Sequence, residues 1–380
     1  MLSDAAVNKR TAISRIIRAA AAGAIGLAAA SALAAFAGPA QAVGWPGTAG
    51  AVYTMTNAPG GNAIEAYARA SDGTLTRVGT YPAGGDGGTL DSGHSIAVSR
   101  DGRVVVNVNA GSNSISAFAA TPRGLHLIGT ASSGGTDPDS VTIAGDHLVY
   151  ALNAGSKTIA GFRLGGRGLR PIPGSVQPLG AGALVPKQIQ FGADARVLVV
   201  DESGSSTIDT FVVGRDGTAG PAVTTPSVGG GPFGFDFDRA GYLLVSDAAL
   251  STGQSGATSY DVAQDGAVTA NGPAVPIDQA AACWLAAAGG FAYTANAGSG
   301  SIGRYAIATD GALTALGSTL VENDPTAKPL DEGVSGGQNY LYVLAGGLAQ
   351  IVGYQVGAGG SLTQVTTAPV AAGSVGIGAS

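Results

Sequence analysis

Residues 293–317 read YTANAGSGSIGRYAIATDGALTALG, and the chain has used this phrase before. Residues 106–129 read VNVNAGSNSISAFAATPRGLHLIG, and residues 150–170 read YALNAGSKTIAGFRLGGRGLR. Each copy is a β-rich run, an Asn-Ala-Gly turn, a second run holding an aromatic residue, and a glycine with an apolar residue close behind it. Anchored on the aromatic, the copies fall at Tyr67, Phe118, Phe162, Phe211, Tyr260, Tyr305 and Tyr354, at intervals of 51, 44, 49, 49, 45 and 49 residues. Six residues beyond each anchor stands a glycine: Gly73, Gly124, Gly168, Gly217, Gly266, Gly311 and Gly360. In four copies Asp precedes it (Asp72, Asp216, Asp265, Asp310), giving the Asp-Gly pair of type I′ hairpin turns, which need left-handed dihedrals.

Three strands are explicit in each unit, and a fourth lies in the gap between units. There HSIAVSRDG (94–102), DSVTIAGD (139–146), KQIQFGAD (187–194) and FGFDFDRAG (233–241) alternate apolar with polar and end in a turn. Four antiparallel strands in each of seven units predict an all-β, seven-bladed β-propeller. The first unit starts at Ala51 without an innermost strand, and GSVGIGAS (373–380) has that strand's pattern with no unit after it. The C-terminal strand is therefore expected to complete the N-terminal blade and close the ring.

Glycine (63) and proline (18) are interleaved with a 45% hydrophobic content, so the composition suits many short strands and tight turns rather than disorder. The N-terminus reads differently. Lys9, Arg10, Arg15 and Arg18 precede the charge-free stretch 19–37, and Ala40-Gln41-Ala42 supplies small residues for cleavage. This is the order of an export signal over residues 1–42, cut after Ala42, leaving one domain over 43–380 in a secreted or periplasmic protein. A retained membrane anchor is the rival reading; the Ala-rich stretch, with Gly23 and Gly26, is only weakly apolar. Residues 43–380 hold 15 basic and 24 acidic side chains, a net −9, with no basic cluster, which argues against nucleic acid as a partner. The lone Cys283 forbids an intrachain disulfide and reads as a buried structural thiol.

Ligands of such rings sit at a mouth of the central channel, so the residues opening the innermost strands matter most. Aligned by repeat, these are His94, Asp139, Lys187, Phe233, Ala282, Glu332 and Ser374. His94 and Glu332 are the candidate acid–base pair, with Lys187 and Asp139 as candidate substrate-binding groups. Polar strand ends facing solvent are the plain alternative. GHSIA (93–97) mimics a nucleophile elbow at Ser95, but a β-hairpin rather than a helix follows it. His94, His126 and His147 fall at different positions of their units, and Asp236 and Asp238 read as flanking a turn, so no metal site is expected. Nothing resembles a phosphate loop or dinucleotide fingerprint, and no cofactor is expected.

At residues 93–118 the sequence resembles the lactonase family of seven-bladed propellers, which includes propeller-type 6-phosphogluconolactonases and fungal carboxymuconate cyclases. The residues that carry the likeness are Gly93-His94, the turn Ser99-Arg100-Asp101-Gly102, Asn109-Ala110-Gly111 and Phe118, with Asn153 and Asn296 repeating the Asn turn. The resemblance implies a channel histidine with arginine and glutamate partners; His94 matches, Glu332 is the second candidate, and no arginine stands in the aligned ring. It implies a protein that opens or isomerises a lactone or cyclic ester at the channel mouth; with the leader read above, the expectation is an exported monomer. The alternative is a non-catalytic binding or surface propeller whose ligand is a carbohydrate or a partner protein.

Overall fold

The computed structural model describes residues 48–145, 147–249 and 254–380; the expected export signal lies outside them. Seven antiparallel sheets follow one another along the chain, each with four strand positions. The inner strands are Val375–Ala379 in blade 1, then Ile96–Val98, Pro138–Ala144, Pro186–Phe191, Pro232–Phe237, Ala282–Ala288 and Pro329–Val334 in blades 2 to 7. In blades 3 and 5 the outermost position is split in two, Gly168–Pro171 with Gln177–Pro178 and Val268–Ala270 with Val275–Ile277.

Ring closure is as the sequence predicts. Val375–Ala379 pairs with Gly50–Met55 through Val52↔Ala379, Tyr53↔Gly378 and Thr54↔Ile377. Side chains hold this strand at both ends. The buried Glu65 accepts the Ala371 amide at 2.8 Å, and the Arg69 guanidinium donates to the Ser380 carbonyl at 3.0 Å.

The repeated aromatics and glycines form the joints between blades. All seven anchor aromatics are at most 3% exposed, and the isoleucines three residues before six of them are fully buried, so both faces of each third strand pack against a neighbour. The seven turn glycines have φ between 70° and 116°, which a side chain rarely adopts. Space excludes one as well: a Cβ at Gly360 would lie 2.7 Å from the Phe291 ring of blade 6, and one at Gly73 would run into the Tyr340 ring of blade 7. The turn carbonyls then accept hydroxyls from the adjoining blade, Tyr342 to Gly73 at 2.8 Å and Tyr150 to Gly217 at 2.6 Å.

The second strands of blades 2 to 6 end in a buried polar residue: Asn109, Asn153, Glu202, Asp247 and Asn296. Asn109 donates to the Ser116 hydroxyl at 2.8 Å and Asn296 to the Ser301 hydroxyl at 3.0 Å. Blade 5 puts an acid in this slot: Asp247 accepts from the Thr258 hydroxyl at 2.6 Å, and its other oxygen has no partner. Burial pushes Asp247 up to about 7, and does the same to Asp139 and Asp331.

The channel end where the inner strands begin is covered by the segment before blade 2. The Lys187 ammonium of blade 4 donates to the Asp91 carbonyl at 2.7 Å and its carboxylate at 3.0 Å, and lies 4.5 Å above the Phe233 ring. The Trp284 indole of blade 6 donates to the Ser92 carbonyl at 2.8 Å, and the Ser92 hydroxyl donates to the Asp139 carbonyl of blade 3 at 2.7 Å. Lys187, Asp139, Phe233 and Trp284 are all buried beneath this plug. Cys283, expected to be buried, is half-buried beside Phe233 and Trp284, and its thiol is pushed up to about 12, chiefly by burial.

Two stability predictions follow from these buried charges. The raised carboxyls bind protons more tightly folded than unfolded, where an aspartate titrates near 4. The stability they contribute is complete below that value and is lost as pH rises through about 7. The thermal midpoint is therefore expected to be higher at pH 6 than at pH 8, and Asp247→Asn to gain on the order of 2 kcal/mol at pH 8 but not at pH 5; a midpoint that climbs with pH contradicts this. In the plug, Asp91→Ala removes a largely exposed carboxylate but keeps the carbonyl that also binds the Lys187 ammonium, at a cost of up to about 1 kcal/mol in urea unfolding. Lys187→Met is expected to cost less, and the double variant to match Lys187→Met alone; simple additivity of the two would refute the coupling.

Candidate functional site

The inner strands are bulged at their first residues, and the bulges set the depth of each side chain in the channel. Ile96 pairs with Asn107, two before Asn109, and Val141 with Ala151, two before Asn153. Glu332 pairs with Val343, two before Ala345, so it stands level with Ile96 rather than His94; Leu330 holds the level expected for Glu332. Leu285 pairs with Thr294, two before Asn296, so Cys283, not Ala282, stands level with His94. The sequence alignment of the ring is thus corrected by two residues in blade 7 and by one in blades 6 and 1, since Ile377 pairs with Thr54 and puts Val375, not Ser374, level with His94.

These shifts separate the predicted site residues into two groups. A cavity of about 470 Å³ occupies the channel and is lined by His94, Gln190, Asp236 and Glu332, with Arg100 at its rim. It opens where the inner strands end, at the exposed Arg100, Gly145 and Ala193. Lys187 and Asp139 do not line it. They lie beneath the plug, where Asp91 occupies the ammonium expected to hold a substrate. The cavity thus opens at the channel end opposite to the one the sequence suggested.

His94 owes its place to a local turn of the backbone. In blades 3 to 7 the left-handed residue before the inner strand is Asp137, Val185, Gly231, Ala281 or Lys328, two positions ahead of the level of His94; in blade 2 it is His94 itself, at φ 53°. Blade 3 clamps the strained carbonyl, which accepts the Val141 amide at 2.9 Å and the Ser140 hydroxyl at 3.2 Å. The surrounding protein pushes the imidazole below its ordinary pKa, opposed by the negative charge of Asp236.

Glu332 is 4% exposed, and neither carboxyl oxygen has a hydrogen-bond partner. Burial, then the charges of Asp331 and Asp236, hold it well above the ordinary carboxylate range. Asp331 does not compete for its place: it accepts the Glu332 amide at 2.9 Å and the Ile377 amide at 3.2 Å, tying blade 7 to the closing strand. Asp236 accepts from Gln190 at 3.0 Å and from the amides of Phe237 at 2.8 Å and Ala287 at 3.0 Å, the pattern of a carboxylate surrounded by donors. A neutral base, a neutral acid and an ordered carboxylate in one cavity are the parts of general acid–base catalysis.

Asp236, Gln190 and Arg100 are the lining groups that sequence reasoning passed over. Asp236 was paired with Asp238 as a turn flank, but only Asp238 does that, accepting the amides of Ala240, Gly241 and Tyr242. Arg100 lies within the turn that carries the family likeness and reaches the cavity from the end of blade 2. Ser95 is buried within blade 2. Among the described residues, no group of three or more His, Cys, Asp or Glu side chains is placed to hold a metal ion.

Residues 37–169 match the family described as lactonase, seven-bladed beta-propeller. No curated protein matches the chain. Among solved structures, a putative 6-phosphogluconolactonase from Bacteroides fragilis is 19% identical, with 87% of this chain and 98% of that one covered and a TM-score of 0.67. A counterpart from Bacteroides uniformis gives 19%, 87%, 99% and 0.68. The periplasmic gluconolactonase of Pseudomonas aeruginosa gives 14%, 86%, 98% and 0.65. At these identities the structures establish the shared fold. The family match covers residues 37–169 of the chain's 380, and the described chain has the seven-bladed architecture that the family's description names.

Proposed function

We propose that this chain hydrolyses a lactone in the channel cavity, with His94 as general base and Glu332 as general acid. The observation that carries the reading is a buried carboxyl, both of its oxygens without a hydrogen-bond partner, on a residue that lines the same cavity as a histidine. Leaving such a group unsatisfied costs stability, and a ligand is what would satisfy it. The family match, and the lactonases among the structural neighbours, support the reaction class. The leader over residues 1–42 supports export, so the working form is proposed to begin at Val43 in a secreted or periplasmic setting, which N-terminal sequencing of the mature protein checks.

In this scheme neutral His94 takes a proton from water as the water oxygen bonds to the lactone carbonyl carbon. The bond from that carbon to the ring oxygen breaks, and the ring oxygen takes the proton of Glu332, giving a hydroxy acid. Asp236 stabilises the imidazolium between these steps, and solvent returns His94 and Glu332 to their starting forms.

The test is hydrolysis of a lactone panel by the chain from Val43, against buffer blanks. His94→Ala is expected to lower turnover about 10²–10⁴-fold with its thermal midpoint retained; unchanged turnover removes His94 from the mechanism, and an inert wild type favours the binding propeller. The pH profile is expected to be bell-shaped. Its acid limb lies below the ordinary histidine range because His94 must be neutral, and its alkaline limb well above the ordinary carboxylate range because Glu332 must be protonated. Glu332→Gln is expected to abolish the alkaline limb; a limb that persists assigns it elsewhere.

A further inference from the structure

The ionisable residues lining the cavity are His94, Arg100, Asp236 and Glu332. Both acids lie at the inner end, and the cation, Arg100, is exposed at the rim, where solvent and salt screen it. The other cation of the channel, Lys187, is buried beneath the plug and bound to Asp91. Residues 43–380 carry a net −9 in addition.

We infer that the cavity takes an uncharged, hydroxyl-rich lactone and disfavours anions at its inner end, phosphorylated lactones and the hydroxy-carboxylate product included; this rests on the lactonase reading above. A hydroxyl both donates and accepts, so a polyhydroxy ring can donate to Asp236, satisfy the bare oxygens of Glu332, and meet Gln190 or the imidazole in either sense. A carboxylate or phosphate offers acceptors alone and brings a second negative charge beside Asp236. At a separation of about 6 Å and an effective dielectric near 20, that repulsion is on the order of a hundredfold in affinity. The same field separates substrate from product. Hydrolysis turns a neutral ring into an anion at the place where an anion is least stable, so ring opening itself weakens binding and favours release. Shape does not make this selection, since about 470 Å³ holds a sugar-sized ring with or without a phosphate.

The experiment pairs binding with turnover. Titration calorimetry compares D-glucitol with D-gluconate, which share a hydroxylated chain and differ by a carboxylate, and steady-state assays compare δ-gluconolactone with its 6-phosphate. Glucitol is expected to bind at least about tenfold tighter than gluconate, and the neutral lactone to be favoured in kcat/KM by a similar factor. Asp236→Asn, with Asp236→Ser as a second variant in case the first fails to fold, is expected to narrow the binding ratio. Equal or tighter gluconate binding, turnover of the phosphate as fast as that of the neutral lactone, or no binding of either polyol overturns the inference. Discrimination without turnover of any lactone sinks the hydrolysis reading and leaves the ligand class standing; turnover without discrimination does the reverse.

Discussion

The pairing of Val375–Ala379 with Gly50–Met55 is the constraint on which the rest of the molecule depends. A ring of twisted sheets buries its blade faces only when it is complete; left open, it exposes the unpaired edge of Gly50–Met55 and uncovers the faces of blades 1 and 7. The closing strand is also part of the site, because Ile377, Gly378 and Ala379 form one wall of the cavity. Asp331, next to Glu332, accepts the Ile377 amide, so the placement of the unpartnered carboxyl and the closure of the ring are mechanically one event. A chain joined this way brings residues more than three hundred apart into one sheet, with a heavy loop-closure cost that only the summed burial of seven interfaces offsets.

Within the closed ring, the turn glycines answer the question the sequence poses. Each sits against the neighbouring blade with a φ that excludes other residues, and where its carbonyl takes a tyrosine hydroxyl, the joint is fixed in register as well as distance. Rigid joints let the structure carry unsatisfied groups elsewhere. Asp247 and Glu332 both lack partners for buried oxygens, yet they lie in different settings: Asp247 inside a blade, in the slot that asparagine fills in blades 2, 3 and 6, and Glu332 among the residues that line the cavity. The first is a local cost of an acid in an amide's place, and the second belongs to the lining of the channel cavity.

The fold was legible because its signals are local and repeated: an aromatic, a glycine six residues on, and a strand left over at the C-terminus. The site was legible only in part. His94 and Glu332 were named from the residues that open the inner strands, but their depth depends on bulges at Pro138/Ser140, Ala282/Trp284 and Pro329/Glu332, which a spacing argument counts as ordinary strand. Lys187 looked like an anion-binding group because the segment that covers it, Asp91 and Ser92, lies 96 residues away in sequence for its carboxylate contact. Asp236 was misjudged for a related reason. Alternation along Phe235-Asp236-Phe237 says that the aspartate points away from its neighbours, but not that this direction is the channel.

The plug and the cavity together give the channel a polarity that neither implies alone. Were both ends open, Lys187 and Asp139 would share solvent with His94 and Glu332, and the ammonium would lower the pKa of the carboxyl and favour its ionised form, which has no proton to donate. With Asp91 neutralising Lys187 and the ring of Phe233 and Trp284 lying between, the cavity instead sees the burial of Glu332 and the charge of Asp236, both of which favour the protonated acid. The same burial keeps His94 neutral. One segment of a few residues ahead of blade 2 thus sets two things at once: the backbone turn that aims the base into the channel, and the closure that keeps a cation from spoiling the acid opposite it.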